Sequence, residues 1–274
     1  MKVMITTALF DIKRDIKGDG RTIKEYLTWF EQTLKIKCDM TIFTEKKFEE
    51  FILKHRAPIK NKTQIVIQNL QELPFYKNCK KIAEITKSPQ YLRRIRHPRR
   101  VECVLPEYNL IQYSKFGWLK KTAENNKNHD YFFWMDAGCS RFFLDTDLTK
   151  QWPDTKLLNK DKFLIQRNTN WPKMWDNLDI TRYIWDSNAM MCGGLFGGGR
   201  EMVYKMEELI EKICQNIFFP NHCFNNEQFA IVIACKKYPD WFEVREQKLN
   251  NEKEGTFCIP MFKNLSVKGE SSEK

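Results

Sequence analysis

His129–Phe143 reads HDYFFWMDAGCSRFF, and this stretch decides the reading of the fold. Tyr131 to Met135 is an apolar, aromatic-rich run too short for a helix, so it reads as a strand buried on both faces. It ends in Asp136, and the small residues Ala137 and Gly138 that follow let the backbone turn sharply and admit a close approach to the acid. In open α/β sheets ligands sit outside the carboxyl ends of the strands, so an acid there is placed to hold a metal-bound phosphate. The competing reading is a carboxylate that only caps the turn or the next helix.

Working outward, Lys2–Leu9 is β-branched and apolar, and Phe10-Asp11 with the polar, Gly-containing segment after it reads as the loop at the end of a first strand. Thr6, Thr7 and Asp11 would then face the same edge as Asp136. Thr22–Leu34 has helical spacing after the turn Gly18-Asp19-Gly20, Cys38–Phe43 is a second strand, Glu45–Lys54 a second helix and Thr63–Gln68 a third strand. Strand, helix, strand, helix, strand is the pattern of parallel βαβ units. A helical piece is expected over Leu73–Thr86. Tyr108–Asn125 is a helix carrying Lys115, Lys120 and Lys121, one of them a candidate to reach a phosphate, and it leads into the aromatic strand.

Beyond Asp136, Phe163–Arg167 is a short strand. Ile184–Arg200 then holds five glycines in seven residues, Gly193–Gly199, interrupted only by Leu195 and Phe196. This run suits a strand and turn passing close beneath a ligand. It is neither a P-loop, which needs Lys-Ser/Thr after its last glycine, nor a dinucleotide fingerprint. Glu201–Ile217 is an amphipathic helix, Glu227 heads the apolar helix FAIVIACKK, where an acid suits the helix dipole, and Trp241–Arg245 is a last strand.

The 274 residues suffice for one large α/β domain. Nine scattered cysteines suggest neither a disulfide framework nor a zinc knuckle, and four unpaired histidines argue against a His-rich zinc enzyme. The longest apolar run, Phe229–Cys235, is far too short to span a bilayer, and the amino-terminal run reads as a strand and not as a signal peptide. The chain is therefore expected in the cytoplasm. Its formal charge is +11, and Arg93, Arg94, Arg96, Arg99 and Arg100 crowd together, a patch suited to anions or simply a solvated loop.

In TALFDI (7 to 12, with Thr7 as its first residue), EYNLIQYSKFGWL (Glu107–Leu119), YFFWMDAGCSRF (Tyr131–Phe142) and GGLFGGGR (Gly193–Arg200) the chain resembles the HtrL/YibB family of inferred bacterial glycosyltransferases. The resemblance covers nearly the whole chain. It implies a single GT-A-like α/β domain over residues 1–267, a Rossmann-type mixed sheet flanked by helices. Residues 1–136 would be the nucleotide-sugar-binding half and 137–267 the acceptor half; the polar composition of residues 268–274 reads separately as a disordered tail. Such enzymes commonly use Asp-x-Asp to hold Mn²⁺ or Mg²⁺ against the donor diphosphate, where the ion neutralises charge on the leaving group. Here Asp136-Ala137-Gly138 keeps only the first acid. A literal Asp-x-Asp lies at Asp145-Thr146-Asp147, farther from the buried strand, so Asp136 is the preferred metal ligand.

By the same resemblance Thr6, Thr7 and Asp11 would hold the nucleoside, and Lys115 or the arginine patch its phosphates. Asp136, Ala137 and Gly138 would line the donor site, while Gly193, Gly194, Phe196 and Gly197 would lie beneath the sugar and acceptor. Glu227 or Asp186 is the candidate base or charge stabiliser. The expected reaction moves a sugar from a nucleotide-sugar, a UDP-sugar first, to a glycan or glycolipid acceptor of the cell surface, with the basic face against an anionic inner-membrane surface. The alternatives are a nucleotide-sugar hydrolase and a non-catalytic basic nucleotide- or nucleic-acid-binding protein. Nucleic-acid binding is not expected, because the arginine run lacks interleaved aromatics and no nucleic-acid motif is visible.

Overall fold

The computed structural model describes residues 1–143, 147–168, 177–186, 190–246 and 259–267. Asp145, Thr146 and the 268–274 tail lie outside the described residues. Seven strands, β1 Val3–Leu9, β2 Asp39–Thr44, β3 Thr63–Ile67, β4 Tyr131–Met135, β5 Phe163–Arg167, β6 Met191–Gly199 and β7 Phe242–Glu246, form one sheet. Their order is β3-β2-β1-β4-β6-β5-β7. β6 runs antiparallel to β4 and β5, and the other pairings are parallel. This is the expected α/β mixed sheet flanked by helices, and both halves of the chain contribute strands to it.

The two faces of β4 show why its sequence does not alternate. Phe132 and Trp134 join one apolar cluster, while Tyr131, Phe133 and Met135 join the other. Helices α1 Ile23–Leu34 and α2 Glu49–Arg56 cover the second cluster with Phe30, Leu34 and Ile52. The first is covered by α3 Cys79–Lys87, α4 Pro106–Asn125, α5 Arg200–Ile213 and α6 Glu227–Lys237. Helix α1 starts where a capping box forms, with the Thr22 hydroxyl accepting from Glu25 N at 3.2 Å and Glu25 accepting from Thr22 N at 2.7 Å.

Two expectations shift. The helix expected from Leu73 starts only at Cys79, after a 3₁₀ turn over Tyr76–Asn78. Pro74 has no N–H to give a helix and pushes Leu73 into an extended conformation (φ −62°, ψ 139°). The glycine run makes no turn: it is a continuous interior strand, and its lack of side chains lets neighbouring groups close in. A Cβ on Gly197 would stand 2.5 Å from the Phe132 carbonyl oxygen, and one on Gly199 would stand 2.2 Å from that of Lys160.

Strand β1 has β2 on one side and β4 on the other, with the chain running out to β3 before returning to β4. The carboxyl ends of β1 and β4 therefore flank the switch point of the sheet, where open α/β folds leave a crevice.

Candidate active site

A cleft opens at that switch point. Its floor is Ala8–Ile12 at the carboxyl end of β1 and Asp136–Gly138 beyond β4. Arg14, Arg21, Ile23 and Tyr26 wall one side, Tyr108, Ile111 and Gln112 of α4 another, and Arg141 closes the rim.

Asp136 is the acid of this cleft, with its side chain 37% exposed. Its Oδ1 accepts from Trp134 Nε1 at 2.7 Å and lies 3.0 Å from Lys115 Nζ. Lys115 is 1% exposed and also donates to Glu227 Oε1 at 2.7 Å and to the Gly193 carbonyl at 2.9 Å. The ammonium sits there because α4 is pinned by aromatic packing. Trp118, one turn along, stacks on Trp134 (centroids 5.9 Å apart) and on Phe10 (5.5 Å), and its indole donates to Gln68 at 2.9 Å.

Glu227 arrives from behind. Asn226 caps α6, accepting from Phe229 N, and the Tyr113 hydroxyl donates to the carbonyls of Asn225 and Asn226 at 2.8 and 3.1 Å. Gly193 leaves the room: a Cβ there would fall 2.1 Å from Glu227 Oε1. One buried ammonium thus serves two carboxylates. Burial pushes the Glu227 carboxyl above its ordinary value, and the shared ammonium only partly opposes this. Burial also acts to lower Lys115, but Asp136 and Glu227 together hold it above the usual lysine value, so it stays charged.

The cations of the cleft are guanidinium groups. Arg14 is buried, donating through Nε and Nη2 to Asp19 and through Nη1 to the Tyr26 hydroxyl, with the Tyr108 ring 4.8 Å from its Cζ. Arg21 lies 3.5 Å from Asp19, and the Arg141 guanidinium packs over the Trp29 ring at 4.9 Å. Asp11 is held by Lys13 at 2.7 Å and Lys47 at 3.0 Å. Burial is the largest single influence on its carboxyl and acts upward, but the hydrogen bonds from Lys13 and Lys47 together outweigh it and the net shift is downward.

Of the residues singled out from sequence, Asp11, Asp136, Ala137 and Gly138 meet on the cleft floor. Lys115, Glu227 and Gly193 lie directly beneath Asp136, and the Gly194 carbonyl accepts from Asp136 N at 2.9 Å. Thr6 and Thr7 are not on the wall: β1 runs on to Leu9, leaving both fully buried in mid-strand. Phe196 is a core residue stacked on Phe116 at 5.3 Å, and Gly197 packs against β4. Asp186 is buried elsewhere, paired with Arg96 at 2.8 Å. Sequence reasoning missed Arg14, Arg21 and Arg141. The signal was arginine in the loops directly after β1 and β4, the two places where a chain reaches the switch point.

The divalent cation expected on Asp136 meets an ammonium there. Among the described residues no three His, Cys, Asp or Glu side chains gather as a metal cage. Asp147, the described acid of the alternative motif, instead accepts from Thr149 N at 2.9 Å. With Oδ1 taken by Trp134 and by a buried ammonium, Asp136 has one oxygen left for a hard cation, whose charge would stand beside the fixed charge of Lys115, a poor fit.

No curated protein matches the sequence. Among solved structures, a glycosyltransferase involved in glycosylation of the major capsid of PBCV-1 is similar at 10% identity and TM-score 0.45, covering 90% of this chain and 82% of that one. Mouse xyloside xylosyltransferase 1 is similar at 8% identity and TM-score 0.42 (89% and 85% covered). A cytidylyltransferase from Leptospira borgpetersenii is similar at 12% identity and TM-score 0.39 (93% and 79% covered). These likenesses are too distant to assign an activity. The sequence itself is more telling: residues 1–252 match the family described as "Bacterial protein of unknown function (HtrL_YibB)", and the chain belongs to that family.

Proposed function

We propose that the protein is a glycosyltransferase that takes a sugar from a nucleotide-sugar, a UDP-sugar first, and joins it to a hydroxyl of a surface glycan or glycolipid. The observation that carries this reading is the half-exposed Asp136 in a switch-point cleft walled by Arg14, Arg21 and Arg141. In the transfer, the bond from the anomeric carbon to the diphosphate oxygen breaks and its electron pair leaves with the diphosphate. The acceptor oxygen forms the new bond and gives up its proton. Charge therefore builds on the diphosphate, and fixed guanidinium donors are suited to stabilise it.

Asp136 lies where the sugar would be, and its carboxylate would accept sugar hydroxyls. Lys115 holds that carboxylate in place, and Glu227, buried behind Lys115, acts as a positioning residue through it. The base on an apolar wall of Ile23 and Ile111 would complete the donor site. Arg93, Arg99 and His97 are exposed and give the chain a basic surface for an anionic acceptor or membrane.

A thermal-shift panel of UDP-, GDP-, CMP- and dTDP-sugars tests the reading. One nucleotide class should raise the melting temperature by mass action, and Asp136→Ala should reduce the shift given by the nucleotide-sugar to that of the bare nucleotide. A wild-type protein stabilised by none of them would contradict the proposal.

A further inference from the structure

We infer that the cleft binds the donor's diphosphate through guanidinium groups in place of a divalent cation, an inference that rests on the nucleotide-sugar reading above. Three observations support it. The first is the state of the acids. Asp136 Oδ1 is bonded to Trp134 and to an ammonium that is itself fixed by Glu227 and the Gly193 carbonyl. A divalent ion on the other oxygen would lie beside a charge that has nowhere to move. Asp11, the other acid on the floor, is bonded to Lys13 and Lys47.

The second observation is Arg14. A buried guanidinium is costly unless it is paired, and Asp19 with Tyr26 satisfies three of its N–H groups. Guanidinium carries five, so two remain on a group that lines the cleft. Its orientation is set before any ligand arrives, because Asp19 grips Nε and Nη2 while the rings of Tyr26 and Tyr108 lie against it. The third observation is charge. Three guanidinium groups, Arg14, Arg21 and Arg141, line the cleft, and Arg14 and Arg21 share the single carboxylate of Asp19, a lining suited to a doubly charged diphosphate diester. Planar, forked donors suit phosphate oxygens better than a point charge does.

Isothermal titration of UDP, GDP, CDP and dTDP into the full chain, once in EDTA and once in Mn²⁺, tests this. One nucleotide should bind in both, with dissociation constants agreeing within about threefold. Arg21→Ala and Arg141→Ala should each weaken it by about tenfold or more, and Arg141→Lys should fail to restore it because the fork is lost. Arg21 is partly exposed, so its variant should fold, and the melting temperature without nucleotide checks all three. Binding in Mn²⁺ that vanishes in EDTA would overturn the inference and leave the transferase reading standing. Arginine variants that bind like wild type would also overturn it. No binding of any nucleotide under either condition would overturn both.

Discussion

Lys115 is the residue on which the site turns, since one buried ammonium answers two carboxylates, Glu227 buried beside it and Asp136 open to the cleft. Replacing it by Met leaves Glu227 and Asp136 without their counter-charge, and breaking a buried pair in this way costs about 3–5 kcal/mol. Urea denaturation of Lys115→Met should show that loss, and a loss below about 1 kcal/mol would mean that the pair is not formed. Glu227 supplies a pH test. Its carboxyl is raised above the ordinary 4.5, so the folded chain keeps a proton that the unfolded chain has released. Stability should therefore fall as pH rises from 4.5 through the raised value. Glu227→Gln, which cannot titrate, should flatten that slope in denaturation curves, and an unchanged slope would contradict the assignment. Asp136 was legible in sequence because an aromatic run ends on it, and Lys115 was legible as one of three lysines on a helix. Only the family resemblance singled it out from Lys120 and Lys121; periodicity could not, because α4 is buried almost all round and has no single apolar stripe to orient it.

Among the elements, β6 tests the packing argument. A methyl group on Gly197 meets the Phe132 carbonyl, which belongs to the partner strand and cannot swing aside. Gly197→Ala should cost about 1–3 kcal/mol in the denaturation midpoint, with m unchanged. At the start of α1, Thr22→Ala removes one side of the capping box and should cost about 1 kcal/mol. The strands Tyr131–Met135 and Phe163–Arg167 could be read from sequence to the residue, because hydrophobic runs of that length have few other fates. The glycine strand was read only in part. Its residues have poor strand propensity, and what makes them a strand is the close approach of β4 and Lys160, a tertiary fact. Thr6 and Thr7 were expected at the cleft although the strand was read as ending at Leu9, where it does end: both sit in mid-strand, where the sheet buries them, and only the residues from Ala8 onward reach the cleft.

At the scale of the whole molecule, the sheet order places two loops at one crevice although more than a hundred residues separate them in sequence. Periodicity gave the parallel units, but not the position of β4 beside β1, so the meeting of Arg14 and Arg21 with Arg141 could not be foreseen from the loops alone. No helix among the described residues is long and apolar enough to cross a membrane. The central claim is that this crevice is the donor-nucleotide site, and photolabelling tests it most directly. Azido analogues of UDP, GDP, CDP and dTDP are irradiated with the full chain, and the labelled peptides are mapped by mass spectrometry with unlabelled nucleotide as competitor. Competed label within residues 8–26, 108–112 or 136–141 is the predicted result. Competed label confined to the opposite end of the sheet, or none at all, would contradict the account.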